Sequence, residues 1–133
     1  MNPHYALVSE RAGHRCEYCR APEAIFNFPF EVEHIIPLSR GGSDNPANKG
    51  LACRSCNLFK SDHVMGVDST TAQEVNLFHP RLDRWEEHFR IDPESATIIG
   101  TSSMGRATVT RLQMNTPRQN SARRAWMSLG LFR

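Results

Sequence analysis

Cys16-Glu17-Tyr18-Cys19 and Cys53-Arg54-Ser55-Cys56 hold all four cysteines of the chain, as two pairs with 33 residues between them. Two cysteines at that spacing set both thiolates on one side of a tight turn. Two such turns complete a tetrahedral shell around zinc, an ion with no geometric preference of its own. Four sulfurs leave no open position, so Cys16, Cys19, Cys53 and Cys56 are expected to hold a structural Zn²⁺. Two disulfides or one redox-active pair are the weaker readings, because no secretory signal precedes the pairs and neither sits in a strand-to-helix redox context.

The segment between the pairs decides what the zinc would frame. Residues 30–36 are rich in aromatic and β-branched types, alternate at Phe30, Val32 and His34, and stop at Pro37; they read as a strand. Residues 39–50, Ser-Arg-Gly-Gly-Ser-Asp-Asn-Pro-Ala-Asn-Lys-Gly, are turn formers almost throughout and read as a long polar loop before a brief strand near Leu51. From Cys53 the sequence carries no breaker and reads as a helix to about Asp62. The first strand thus carries an adjacent carboxylate and imidazole, Glu33 and His34, and the helix opening at the second pair carries the carboxamide of Asn57.

Hydrolysing a phosphodiester needs a base to activate water, a divalent cation to stabilise charge on phosphorus and the leaving oxygen, and a scaffold that aligns them. Histidine is the side chain that exchanges protons near neutral pH, which makes His34 the candidate base. Glu33 and Asn57 offer hard oxygen ligands suited to Mg²⁺ or Mn²⁺. Asn48 is placed to hydrogen-bond across the loop and hold His34 and its strand in register. Neighbouring residues on a regular strand face opposite ways, so for Glu33 and His34 to share one ion the strand must be twisted or bulged there.

With these residues in place, the stretch from Cys16 to Lys60 resembles the HNH endonucleases, ββα-metal nuclease modules set in a zinc-knuckle frame. The resemblance implies His34 as general base, Asn48 as the residue that orients it, Glu33 and Asn57 as ligands of the catalytic ion, and the four cysteines as zinc ligands. Glu33 stands where aspartate is more usual and Asn57 where some members carry histidine; both keep an oxygen ligand. The expected fold is α+β, with an HNH core over about residues 13–62 and a mainly helical C-terminal extension over about 63–133, in one domain.

Outside the core, Asn2-Pro3 reads as an N-cap and first helical residue, with Tyr5, Val8 and Ala12 on one face and Gly13 as the stop. Leu82, Trp85 and Phe89 recur at i, i+3 and i+7 after Pro80, which reads as a core-packing helix with Glu86 and Arg90 paired on its polar side. A short strand is expected over residues 97–101, a helix over 103–114, and a last helix capped at Thr116-Pro117 that buries Ala122, Ala125, Trp126 and Leu129. Both tryptophans read as core, and His4, His14, His63, His79 and His88 as surface, capping or packing residues.

The chain has 133 residues and a net charge of +2. That balance hides an asymmetry, since from residue 95 onward there are six arginines and no acid. Fourteen of the 16 cations are arginine, whose planar fork suits phosphate. Arg40, Arg54, Lys60, Arg123 and Arg124 are the candidate nucleic-acid contacts, with duplex DNA the expected partner, and a monomer and a homodimer are both compatible with the sequence. The longest unbroken apolar run is Tyr5 to Val8, which excludes a membrane-spanning helix. No signal segment is visible, and a cytoplasmic location is expected.

Overall fold

The computed structural model describes residues 2–132; Met1 and Arg133, the last arginine of the basic tail, lie outside the described residues. Helix α1 spans Tyr5–Arg11. It begins two residues later than the Asn2-Pro3 reading because Asn2 is spent on a preceding turn: its Oδ1 accepts the His4 N–H at 2.8 Å and its carbonyl accepts the Tyr5 N–H at 3.0 Å. Gly13, at φ +65°, ends the helix in the left-handed region, where glycine costs least. The chain then doubles back through the first cysteine turn, with Arg15 bridging Pro22 and the Cys16 N–H donating to the Ala21 carbonyl at 3.0 Å.

Strand β1, Glu31–His34, pairs antiparallel with β2, Lys49–Ala52, in a register that sets Glu33 opposite Gly50 and His34 opposite Lys49. The strand expected to Ile36 stops at His34 because Asn48 captures the next two residues: its carbonyl takes the Ile35 N–H at 2.8 Å and its Oδ1 the Ile36 N–H at 2.9 Å. Single 3₁₀ turns at Leu38–Arg40 and Pro46–Asn48 punctuate the loop. Gly42 lies so close to the Ile36 carbonyl that any Cβ there would overlap its oxygen. Helix α2 runs Arg54–Lys60, is capped by Cys53, and ends where Ser61 turns to φ +50°.

Beyond it, β3 (Met65–Val67) pairs with β4 (Glu74–Asn76), and after helix α3 (Trp85–His88), β5 (Phe89–Ile91) pairs with β6 (Ile98–Gly100). Helices α4 (Ser103–Arg111) and α5 (Pro117–Ser128) complete the chain, each with a side-chain cap: Ser102 accepts from the Gly105 N–H and Thr116 from the Gln119 N–H. The architecture is α+β, three antiparallel strand pairs joined by short helices. One apolar cluster runs through both halves, from Val8, Tyr18 and Leu51 to Phe78, Phe89, Ile98 and Leu112. No helix among the described residues is long and apolar enough to cross a membrane.

Two readings of the C-terminal half are corrected. The Leu82, Trp85, Phe89 stripe is not a continuous helix. Leu82 is 79% exposed in a turn closed by the Asp83 carboxylate, which accepts the His79 N–H at 2.9 Å, and Phe89 already belongs to β5. The expected Glu86–Arg90 pair is broken by that change of element, and Glu86 meets Arg20 at 3.1 Å instead. Ala125 of α5 and Leu129 just past its end face solvent, and Ala122 and Trp126 are half-buried; the one buried residue of the helix is Arg123.

Candidate functional site

The four cysteines converge as their spacing requires. All are buried, no disulfide joins them, and their sulfurs lie within 4.8 Å of one another, with Cys19 and Cys53 at 3.7 Å. A tetrahedron of bonds near 2.3 Å has edges of about 3.8 Å, so the separation fits a zinc shell. The two turns are built alike: the Cys16 sulfur accepts the Cys19 N–H and the Cys53 sulfur the Cys56 N–H, each at 3.4 Å. Crowding makes the thiols share their protons unequally, with Cys53 drawn well below the ordinary thiol range by hydrogen bonds led by Cys16, and Cys19 and Cys56 raised well above it. A bound dication removes that conflict by taking four thiolates at once.

The four sulfurs bring the start of α2 against the first cysteine turn, and the hairpin between them has two unlike faces. On the outer face His34 stands 28% exposed, and its Nε2 meets Asp44 Oδ1 at 2.8 Å. Asp44, in the loop and 73% exposed, also pairs with Lys49 Nζ at 3.0 Å, and Lys49 Nζ lies 2.6 Å from His4 Nδ1. His34 and then Lys49 hold the Asp44 carboxyl below the usual carboxylate range. Sequence reasoning missed Asp44, Lys49 and His4. Lys49 could have been found as the cross-strand partner of His34 once the register was known; Asp44 had no local signal beyond its place in a turn-rich loop.

Asn48 works from behind. Its Nδ2 donates to the carbonyls of Ile36 at 2.9 Å and Ser43 at 2.8 Å, so one side chain clamps both ends of the loop that carries Asp44.

Glu33 lies on the inner face. The strand is regular there, without the bulge that would turn Glu33 and His34 to one site, so the two point apart. The Glu33 side chain is 5% exposed, accepts a hydrogen bond from the Tyr18 hydroxyl and pairs with Lys60 Nζ at 3.3 Å. Lys60 also donates to the Ile35 carbonyl at 2.8 Å. Burial raises the Glu33 pKa above the ordinary value, against the pull of Lys60. The Asn57 carboxamide, half-buried one turn before Lys60, makes no hydrogen bond among the described residues.

The expected cationic contacts divide. Arg40 and Arg54 are exposed, Arg40 donating to the Asp62 carbonyl at 2.6 Å, and Arg124 is exposed with a contact to the Ser95 carbonyl at 3.2 Å. Lys60 and Arg123 are corrected. Lys60 is consumed by Glu33, and Arg123, 0% exposed, donates to the Ala96 and Met114 carbonyls and to Asn120, pinning α5 to the β5–β6 turn.

A hairpin and a helix are thus brought together beside four converging cysteines, with a half-buried histidine on the first strand and an asparagine-clamped loop between the strands. Residues 16–63 match the HNH endonuclease family, which ties this segment to nuclease or nucleic-acid-related function. No curated protein and no solved structure matches the chain.

Proposed function

We propose that the protein is an HNH-type endonuclease that hydrolyses phosphodiester bonds in DNA, with His34 as the general base. The observation that supports this reading is the His34–Asp44 contact. Asp44 accepts from Nε2–H, which leaves the Nδ1 lone pair to take a proton from water. The hydroxide so formed attacks phosphorus in line, the bond to the 3′ oxygen breaks, that oxygen takes a proton from solvent, and the products carry a 5′ phosphate and a 3′ hydroxyl. Asn48 keeps the loop and strand end together, and Arg40 and Arg54 meet backbone phosphates.

Zn²⁺ fits the four cysteines, where it is structural and takes no part in the chemistry. Mg²⁺ or Mn²⁺ on Glu33 and Asn57 suits the oxygen chemistry of the donors but not their present state. Both carboxylate oxygens of Glu33 are engaged, and the Lys60 ammonium already supplies the cation. An ion there would have to displace Lys60, and the proposal assigns it no step.

That same saturation favours a second reading, a zinc module that binds nucleic acid without cutting it. Supercoiled plasmid incubated with zinc-loaded protein, with and without Mg²⁺ or Mn²⁺, separates the two when the His34→Ala variant is run beside it. Nicking lost in the variant supports the nuclease, and its dependence on Mg²⁺ or Mn²⁺ tells whether an ion takes part. A retained, salt-sensitive gel shift without cleavage supports the binding module, and faster cleavage of structured RNA than of DNA would move the substrate assignment.

A further inference from the structure

The hydrolytic reading uses the end of the hairpin and, on this side of α2, only Arg54; it leaves the aromatic surface beside that arginine without a role. Residues 25–30 read Ile-Phe-Asn-Phe-Pro-Phe. Phe30 turns into the core, but Ile25 and Phe26 are exposed and Phe28 is 78% exposed. Phe26 is held from both sides, its ring centroid 4.8 Å from that of Phe30 and 5.9 Å from that of Trp126. Behind it, between α2 and α5, runs a groove of about 630 Å³ walled by Phe26, Phe59 and Trp126, with Arg54, Arg118 and Gln119 among its polar groups and no carboxylate in its lining. A second hollow of about 400 Å³ continues past Phe26 and Arg54 over Phe28, with Glu31 as its single acid. Trp126, read as core from its spacing, is half-buried against the core with the Phe132 ring stacked 6.4 Å away, and it also lines this groove.

Ring faces, two guanidinium groups and a groove free of carboxylates together select a ligand. Ile25, Phe26 and Phe28 exposed together on one short segment are candidates for an interaction site. Charge complementarity makes the partner anionic, and the flat walls make it flat. In a duplex the base faces are hidden in the stack and only edges can be read, whereas an unpaired strand offers both a base face for each ring and a phosphate for each arginine. The volume falls in the range of sites that enclose one small ligand.

We propose that this surface binds unpaired DNA, with one base in the α2–α5 groove against Trp126 and Phe26, the next base on Phe28, and the backbone phosphates on Arg54 and Arg118. The proposal rests on the nucleic-acid reading of the chain but not on His34 or on cleavage. It makes the α2–α5 side a second contact that favours sites where a strand is open.

The test uses the full zinc-loaded chain carrying His34→Ala, titrated with a labelled oligothymidylate of 12 nucleotides, with the same backbone lacking bases, and with a 12-base-pair duplex. Intrinsic fluorescence should be quenched by the oligothymidylate and not by the abasic strand, and Trp126→Phe should abolish most of the quenching. Phe28→Ala, at a position that packs against little, should weaken oligothymidylate binding by about five- to 150-fold, the span of single base-stacking contacts, and leave duplex binding unchanged. Equal affinity for the abasic strand, or no effect of Phe28→Ala, would overturn the proposal. So would sedimentation showing that Phe28→Ala converts a dimer to a monomer, since a second copy would then cover the groove. If the unmutated chain cuts plasmid while oligothymidylate binding ignores Phe28, this inference fails and the nuclease stands. If Phe28-dependent binding persists without cleavage under any ion, the nuclease fails and this inference stands.

Discussion

Replacing Lys60 by methionine isolates the buried pair at the heart of the hairpin–helix seam. The side chains are 2% and 5% exposed and their charges 3.3 Å apart. At that distance two unit charges attract by about 5 kcal/mol at an effective dielectric of 20. Drying each ion costs several kcal/mol as well, so the intact pair adds little net stability. Removing the ammonium alone leaves the carboxylate dry and unpaired, and the expected loss is about 3–5 kcal/mol. Glu33 is held above the ordinary carboxylate value by burial, and without Lys60 it moves further up. A carboxyl whose folded pKa exceeds its unfolded one contributes stability at low pH and loses it as pH rises through the folded value. The damage in Lys60→Met should therefore be larger at pH 8 than at pH 6. Urea unfolding of zinc-loaded protein, followed by circular dichroism at both pH values, measures it. A loss under about 1 kcal/mol at pH 8, or one that does not shrink at pH 6, would refute the reasoning by showing that Glu33 reaches water. Repeating the titration with millimolar Mg²⁺ asks whether an ion can take the place of the ammonium: a stability recovered by Mg²⁺ in the variant alone would open the Glu33–Asn57 donor set that Lys60 now closes.

Removing zinc with a strong chelator should unfold the chain, read as collapse of its circular dichroism, whereas reductant alone should leave it intact. Asp44→Asn should slow DNA cleavage about tenfold and leave DNA affinity unchanged, since partners that orient a reacting group typically contribute 10–100-fold. Arg54→Gln should lower the slope of log affinity against log salt by about 1, whereas Arg123→Met should lower thermal stability and leave the slope alone. Asp68, fully buried, is held well below the carboxylate range first by Arg106, which meets it with Nε at 2.8 Å and Nη2 at 2.9 Å. A depressed carboxyl contributes above its unfolded pKa of about 3.9 and loses that contribution as pH falls. Asp68→Asn should accordingly lower the Tm at pH 7 and flatten its decline in acid.

The elements that local chemistry determines were legible in the sequence. The cysteine spacing, the turn-former run at residues 39–50, and the caps at Thr116-Pro117 each announce their structure within a few residues. What the sequence hid depends on distant partners. The buried fate of Lys60 depends on Glu33, 27 positions earlier, and that of Arg123 on carbonyls at Ala96 and Met114. A cation reads as a surface residue until its acceptors are in place. The helix expected through Phe89 failed for the same reason: residues 89–91 pair with 98–100, and a three-residue ladder outweighs an apolar spacing that suits both periods poorly. Of the site, His34, Asn48 and the cysteines could be named from residue type and spacing, but the facing of Glu33 and the approach of Asp44 needed the register and the loop path.

The sulfur shell closes a loop that contains β1, Asn48 and β2, so every residue proposed to act in cleavage lies inside the zinc crosslink. A routine control thereby loses its meaning. EDTA would stop cleavage whether or not a second ion takes part in the chemistry, because stripping the four sulfurs dismantles the hairpin that carries His34. Only protein kept saturated with zinc, and then supplied with or deprived of magnesium, can say which ion the reaction needs.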